Sequence, residues 1–71
     1  MKLPRDVSGA DAVKALERLG FTVVRQIGSH VRMTRGDRRV SIPMHGNLAI
    51  GTLQSMIRQA DLNLDDFLNA L

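Results

Sequence analysis

The apolar positions in the first third of the chain recur every three or four residues, which is the spacing of one helix face: Ala12, Val13, Leu16 and Leu19. Ser8 precedes this stretch and Asp11 follows three residues later, an arrangement like a capping box with Asp in place of the usual Glu. Gly20 is a natural stop at the other end. The pattern therefore predicts a first helix between Ser8 and Gly20.

The middle of the chain changes to the two-residue period of β-strands. Residues 21–27 are rich in β-branched side chains. In residues 29–35 apolar and polar side chains alternate, and the alternation continues in residues 38–42 after a Gly-Asp turn. Pro43 is expected to end strand pairing. The sequence thus predicts three consecutive strands, which favours an antiparallel meander.

The alternation also assigns side chains of the second and third strands to the two faces of the sheet. The inward group is apolar: Val31, Met33, Val40 and Ile42. The outward group is polar: His30, Arg32, Thr34, Arg39 and Ser41. Because successive strand residues point to opposite faces, the sequence predicts a histidine, two arginines and two hydroxyl groups on one exposed surface.

Two further helices are predicted after the sheet. Residues 43–50 form a loop, and a second helix begins near Gly51-Thr52 with Thr52 as the candidate cap. Its apolar stripe consists of Leu53, Met56, Ile57 and Ala60. Asn63 is expected to cap a short final helix with apolar Leu64, Phe67, Leu68 and Leu71. The chain is therefore predicted to be one α+β domain over residues 1–71, in which a three-stranded antiparallel sheet carries two helices on one face.

Length and composition narrow the function classes. A chain of 71 residues forms a two-layer core without room for a deep pocket, so a substrate is expected on a face or in a shallow groove. The absence of cysteine excludes disulfides, a thiol nucleophile and a cysteine zinc site. No apolar run has the length of a signal peptide or a membrane span, which predicts a soluble, cytoplasmic protein without membrane contact.

Positive charge is concentrated in the centre of the chain. The net charge is +3, and only Asp37 stands among five central arginines: Arg25, Arg32, Arg35, Arg38 and Arg39. The planar guanidinium group binds phosphate through paired hydrogen bonds, so this cluster favours a nucleic-acid partner. An ordinary solvated strand face is the other interpretation.

The chain has two histidines, His30 and His45. An unperturbed imidazole titrates at about pH 6.5, which is close to cellular pH, so the group can both accept and donate a proton under cellular conditions. Cleavage of RNA needs such transfers together with positive charge at the transition state, which Arg32 and Arg39 could supply. A surface histidine without function is the alternative for His30, and His45 could equally shape the loop that contains it.

The sequence gives little support for a metal site, a cofactor site or an aromatic surface that stacks on bases. No group of candidate ligands has the spacing of a metal site, and no phosphate-binding glycine motif is present, so neither a metal nor a cofactor is expected. Phe21 and Phe67 are the only aromatic residues and both fit apolar stripes, so a platform for stacking bases is absent.

A set of motifs in fixed order resembles the HicA toxin family. The motifs are Gly28-Ser29-His30, a basic hairpin, residues 41–45 (SIPMH) and residues 51–60 (GTLQSMIRQA), with Lys2-Leu3-Pro4-Arg5 and Leu19-Gly20-Phe21 extending the resemblance over nearly the whole chain. The resemblance implies a double-stranded-RNA-binding-domain-like α-β-β-β-α fold and ribosome-independent cleavage of mRNA. It also implies a HicB antitoxin that covers the active site, and it identifies His30 with the catalytic histidine of the family.

The resulting hypothesis is a toxin of a type II toxin–antitoxin system. It would be a metal-independent endoribonuclease that cleaves mRNA with His30 as general acid/base and that has a HicB-type antitoxin as its partner. The expected RNA-binding residues are Ser29, Arg32, Arg39, His45 and Thr52. Two other functions remain open, namely a non-catalytic double-stranded-RNA-binding module of the same fold and a protein-interaction subunit that docks an acidic partner.

Overall fold

The computed structural model describes residue 4 and residues 6–71, which contain six helices and strands. In chain order these are α1 (Gly9–Arg18), β1 (Thr22–Ile27), β2 (His30–Arg35), β3 (Arg38–Pro43), α2 (Ile50–Gln59) and α3 (Leu64–Ala70). The strands form one antiparallel sheet in the order β1-β2-β3. The α+β class and the α-β-β-β-α order with a short final helix are confirmed. Lys2, Leu3 and Arg5, which belong to the motifs above, lie outside the described residues.

The ends of α1 follow from its capping residues. The backbone N–H of Asp11 donates to Ser8 Oγ at 3.0 Å, and the N–H of Ser8 donates to the Asp11 carboxylate at 3.2 Å, which completes a capping box. After the helix, Gly20 has a φ of 96°, a conformation that favours glycine and turns the chain toward β1. Both signals act between neighbouring residues, which is why the sequence located this helix.

Two-residue turns fix the register of the sheet. Gly28 and Gly36 each open a turn with a φ of 58°, as in the type II′ turns that suit the twist of a hairpin. His30 is thereby paired with Pro43, so β3 extends one residue beyond its predicted end. The N–H of Met44 donates to Ser29 O at 2.6 Å, which makes His30–Pro43 a non-hydrogen-bonded pair. Since such a pair exchanges no backbone hydrogen bonds, the missing N–H of Pro43 costs the sheet no hydrogen bond.

The core lies between the helices and one face of the sheet. The inward strand side chains are buried as predicted: Val31, Met33, Val40 and Ile42. The helices contribute four further large buried side chains: Leu16, Leu53, Met56 and Phe67. Their burial leaves the alternate strand residues, among them His30 and Arg32, exposed on the opposite face.

The start of α2 differs from the prediction. Its N-cap is Ala49, which has no side-chain oxygen, and the helix begins at Ile50, so Thr52 lies inside the first turn and is not the cap. The neighbouring Leu48 is buried, and its N–H donates to Val7 O at 2.8 Å. This long-range contact sets the helix entry and outweighs the usual preference for a polar cap.

β1 is the least buried strand although it is the richest in β-branched residues. All six of its residues are exposed, and Val23, Val24 and Ile27 each retain about half of their surface. β1 pairs only with β2, and its anchor is the buried Phe21 that precedes it. Leu71, predicted on the apolar stripe of the last helix, is likewise 40% exposed and lies one residue beyond α3.

Gly9 lies where α1 meets the loop between β3 and α2, and its N–H donates to His45 O at 2.9 Å. A Cβ atom at this position would lie 2.4 Å from Pro43 O and 2.8 Å from Met44 Cα, so no side chain fits without moving backbone. We expect Gly9→Ala to lower the free energy of unfolding by about 1–3 kcal/mol, measured by chemical denaturation. Gly51→Ala, in α2 with open space around it, is the control and should be neutral or slightly stabilising. Unchanged stability of Gly9→Ala would contradict this account.

Arg25 and Arg32 lie directly opposite each other on β1 and β2. In the described part of the chain the one ion pair is Arg38–Asp61, so no carboxylate offsets the repulsion between the two guanidinium groups. We expect Arg25→Gln to raise the free energy of unfolding by a few tenths to about 1 kcal/mol at low salt. High salt should abolish the gain by screening. Arg38→Gln, which removes the same charge but also the contact with Asp61, should not stabilise, and a loss of stability in Arg25→Gln at low salt would disprove the repulsion.

Candidate functional site

The face of the sheet turned away from the helices, here called the open face, carries mainly polar side chains. β2 contributes His30, Arg32 and Thr34, and β3 contributes Arg39 and Ser41, as the alternation predicted. None of these five side chains is buried. The cross-strand pairs Arg32–Ser41 and Thr34–Arg39 place guanidinium and hydroxyl groups side by side. The open face is therefore a surface of hydrogen-bond donors.

The five central arginines divide into two groups. Arg35 donates from Nη1 to Leu19 O at 2.7 Å, and its guanidinium lies 5.0 Å from the centre of the Phe21 ring. Arg38 contacts the Asp61 carboxylate at 2.6 Å. These two side chains therefore connect elements of the fold. Within the described part of the chain, the other three have no hydrogen-bonded or ionic partner: Arg25, Arg32 and Arg39.

The same three arginines line one shallow groove of about 370 Å³ on the open face, here called the arginine groove. The other polar groups along it are the Thr34 and Ser41 hydroxyls and the Gln59 amide. Guanidinium groups with neighbouring hydroxyl donors form the environment that binds a phosphate group through several charge-assisted hydrogen bonds.

Gln59 reaches this groove from the last turn of α2. Because Arg32–Ser41 is a non-hydrogen-bonded pair, the N–H of Ser41 points away from β2 and donates to Gln59 Oε1 at 3.3 Å. Gln59 Nε2 in turn donates to Ser55 Oγ, one helical turn earlier, at 3.1 Å. Gln59, held by Ser55, thus satisfies one backbone N–H at the free edge of β3 and forms one wall of the arginine groove.

Two of the groove residues, Arg25 and Gln59, were not predicted as site residues. Simple alternation from the buried Phe21 would turn Arg25 toward the helices. A bulge at Val24 shifts the register between Val23 and Arg25, so that Arg25 pairs with Arg32 and shares its face. The only sequence signal for Gln59 is its four-residue spacing from Ser55, which places both side chains on one face of α2. Its partner at the edge of β3, Ser41, is distant along the chain and gives no local signal.

His30 lies at one end of the open face, as the first residue of β2. It is exposed, and its backbone is held between Ile27 on β1 and Pro43 on β3. The hydrogen bond from Met44 to Ser29 O closes the sheet on the side of the turn. A rigid backbone therefore presents this imidazole to solvent, outside the arginine groove but on the same face.

The remaining predicted site residues do not line the arginine groove. Ser29 is exposed in the turn next to His30. His45 is exposed in the loop after β3, and its backbone oxygen accepts the hydrogen bond from Gly9. Thr52 is half-buried in the first turn of α2. The structure thus unites Arg32 and Arg39 in one groove and leaves these three residues at other positions.

Residue 4 and residues 6–71 contain no cluster of three or more His, Cys, Asp or Glu side chains arranged to hold a metal ion. None of the helices in these residues has the length and apolar character needed to cross a membrane.

Comparison with known proteins adds a family assignment to this geometry. No curated protein matches the sequence. The family model for the HicA toxin of bacterial toxin–antitoxin systems matches residues 9–62, a range that begins with α1 and ends just after α2. This range covers well over half of the chain and includes the whole sheet, the open face and the arginine groove. The chain therefore belongs to the HicA toxin family.

Proposed function

We propose that this HicA-family protein is the toxin of a type II toxin–antitoxin system and acts in the cytoplasm as an endoribonuclease that cleaves mRNA. One observation carries the proposal: an exposed histidine, His30, shares a flat open face with three arginines that no carboxylate neutralises within the described residues. An extended, negatively charged polymer fits such a surface, whereas a small metabolite would find no enclosing pocket.

The proposed role of His30 is that of general acid/base. Cleavage of a phosphodiester requires a base that removes a proton from the attacking hydroxyl or water and an acid that protonates the leaving oxygen. Imidazole performs either transfer without a metal ion, so the proposed reaction is metal-independent. The two-sided backbone pairing of His30 fixes its backbone, so the imidazole projects from a defined point of the open face.

The other predicted site residues are proposed to bind RNA. Ser29 and His45 are close in sequence to the end of the sheet that carries His30. Ser29 directly precedes His30, and His45 follows Pro43, the strand partner of His30, by two residues. Arg32 and Arg39 contribute charge on the open face. Thr52 would act from the first turn of α2, where backbone N–H groups also favour anions.

An antitoxin partner is implied by membership of the family. We propose that this partner is a HicB-type antitoxin that covers the open face and so blocks access of RNA to His30. The uncompensated arginines favour an antitoxin with an acidic contact surface, because complementary charge speeds association and selects the partner.

We expect His30→Ala to fold normally, because the side chain is exposed, and to lower the rate of RNA cleavage by about 10²–10⁴-fold. Cleavage of a labelled RNA under single-turnover conditions measures the rate, and the thermal unfolding midpoint checks the fold. Growth arrest on expression without antitoxin should disappear in the same variant.

His45→Ala is the matched control, because it removes the other histidine from a loop position outside the strands. It should reduce cleavage less than His30→Ala does, and cleavage by the unaltered protein should persist in EDTA. Full activity of His30→Ala would rule out the proposed mechanism. RNA binding without any cleavage by the unaltered protein would favour the non-catalytic RNA-binding module.

A further inference from the structure

We propose that the arginine groove binds a phosphate group of the RNA other than the one cleaved at His30, so that it acts as a separate anchoring subsite. This inference rests on the proposed function. The sequence alone allowed Arg32 and Arg39 both to bind RNA and to supply charge at the transition state, and the inference assigns them to binding. It also adds Arg25 and Gln59 to the residues that bind substrate.

Position along the strands separates the groove from His30. At the usual rise of a strand, Arg32 Cα lies about 7 Å further along β2 than His30 Cα. Arg39 pairs with Thr34, which places it about 13 Å along the sheet from His30, on the neighbouring strand. Arg25 is level with Arg32 because the two are cross-strand partners. All three arginines line the groove at or beyond the level of Arg32, and His30 is absent from that lining.

Charge indicates what the groove binds. Three guanidinium groups meet there, and the only ion pair within the described residues lies elsewhere, between Arg38 and Asp61. The repulsion between Arg25 and Arg32 would be relieved by a bound anion. The hydroxyls of Thr34 and Ser41 offer further donors to the same anion.

The lining also limits what the groove can recognise. Both aromatic residues of the chain, Phe21 and Phe67, are buried in the core, so neither is available to stack on a base. The groove lining contains no carboxylate that could accept hydrogen bonds from base amino groups. The subsite is therefore expected to contact the RNA backbone and to be insensitive to base identity.

Kinetics distinguish an anchoring subsite from charge stabilisation at the transition state. Removal of a group that binds the ground state and the transition state equally raises KM. Removal of a group that acts only in the transition state lowers kcat. We expect Arg25→Gln and Arg39→Gln each to raise KM about tenfold, with kcat changed by less than about twofold. Arg58→Gln removes the same charge from an exposed position of α2 outside the groove and serves as the matched control.

Direct binding gives a second readout that does not depend on cleavage. Each groove substitution is combined with His30→Ala, and affinity for a fluorescein-labelled single-stranded RNA of about 12 nucleotides is measured by anisotropy over a range of NaCl concentrations. Loss of one phosphate contact should reduce the slope of log affinity against log salt by about 0.7, and Arg58→Gln should leave the slope unchanged. Changing the RNA sequence at constant length should leave the effect of each groove substitution unchanged.

The kinetic and binding measurements can each overturn the inference. A fall in kcat at unchanged KM in the groove variants would assign the arginines to the transition state and overturn the inference while leaving the proposed function intact. Equal effects of Arg58→Gln, or unchanged RNA affinity and salt slope in the groove variants, would also overturn it. If the unaltered protein cleaves no RNA, the proposed function fails, and the salt slopes still decide whether the groove binds phosphate.

Discussion

The two-residue period of β2 and β3 is the constraint on which the rest of the molecule depends. Burial of Val31 and Met33 in the core forces His30 and Arg32 to the other face, because successive side chains of a strand point to opposite sides. A slip of one residue would bury an imidazole and a guanidinium without partners, which is strongly unfavourable. The short turns at Gly28 and Gly36 prevent such a slip. The open face is thus a direct consequence of how the core is filled.

Two motif residues of α2, Ser55 and Gln59, stabilise the exposed edge of the sheet. Ser55 and Gln59 lie one turn apart, and their hydrogen bonds end on the N–H of Ser41 at the exposed edge of β3. Arg38 and Asp61 make a second connection between β3 and the end of α2. Because both partners are largely exposed, that ion pair contributes at most about 1 kcal/mol. Gln59 forms part of the arginine groove, and neither link neutralises the guanidinium groups of that groove.

The open face combines two properties that act against each other. Three arginines without carboxylate partners in the described residues repel one another and oppose folding, yet the same charge suits the anionic partners proposed above, RNA and an acidic antitoxin surface. A chain of 71 residues can bury only a small core with which to offset this repulsion. Close packing where α1 meets the β3–α2 loop at Gly9 contributes to that offset, because it joins the helix layer to the end of the sheet that carries His30.

The sequence by itself determined the features that depend on neighbouring residues: the capping box of α1, the Asn63 cap of α3, the turns, and the faces of β2 and β3. It therefore placed His30, Arg32 and Arg39 on one surface. Only the tertiary structure decided where α2 begins, because burial of Leu48 controls that entry, and which face Arg25 occupies, because a bulge in β1 reverses it. It also decided which arginines stabilise the fold and which remain available, since the partners of Arg35 and Arg38 are distant along the chain and become neighbours only when the chain folds.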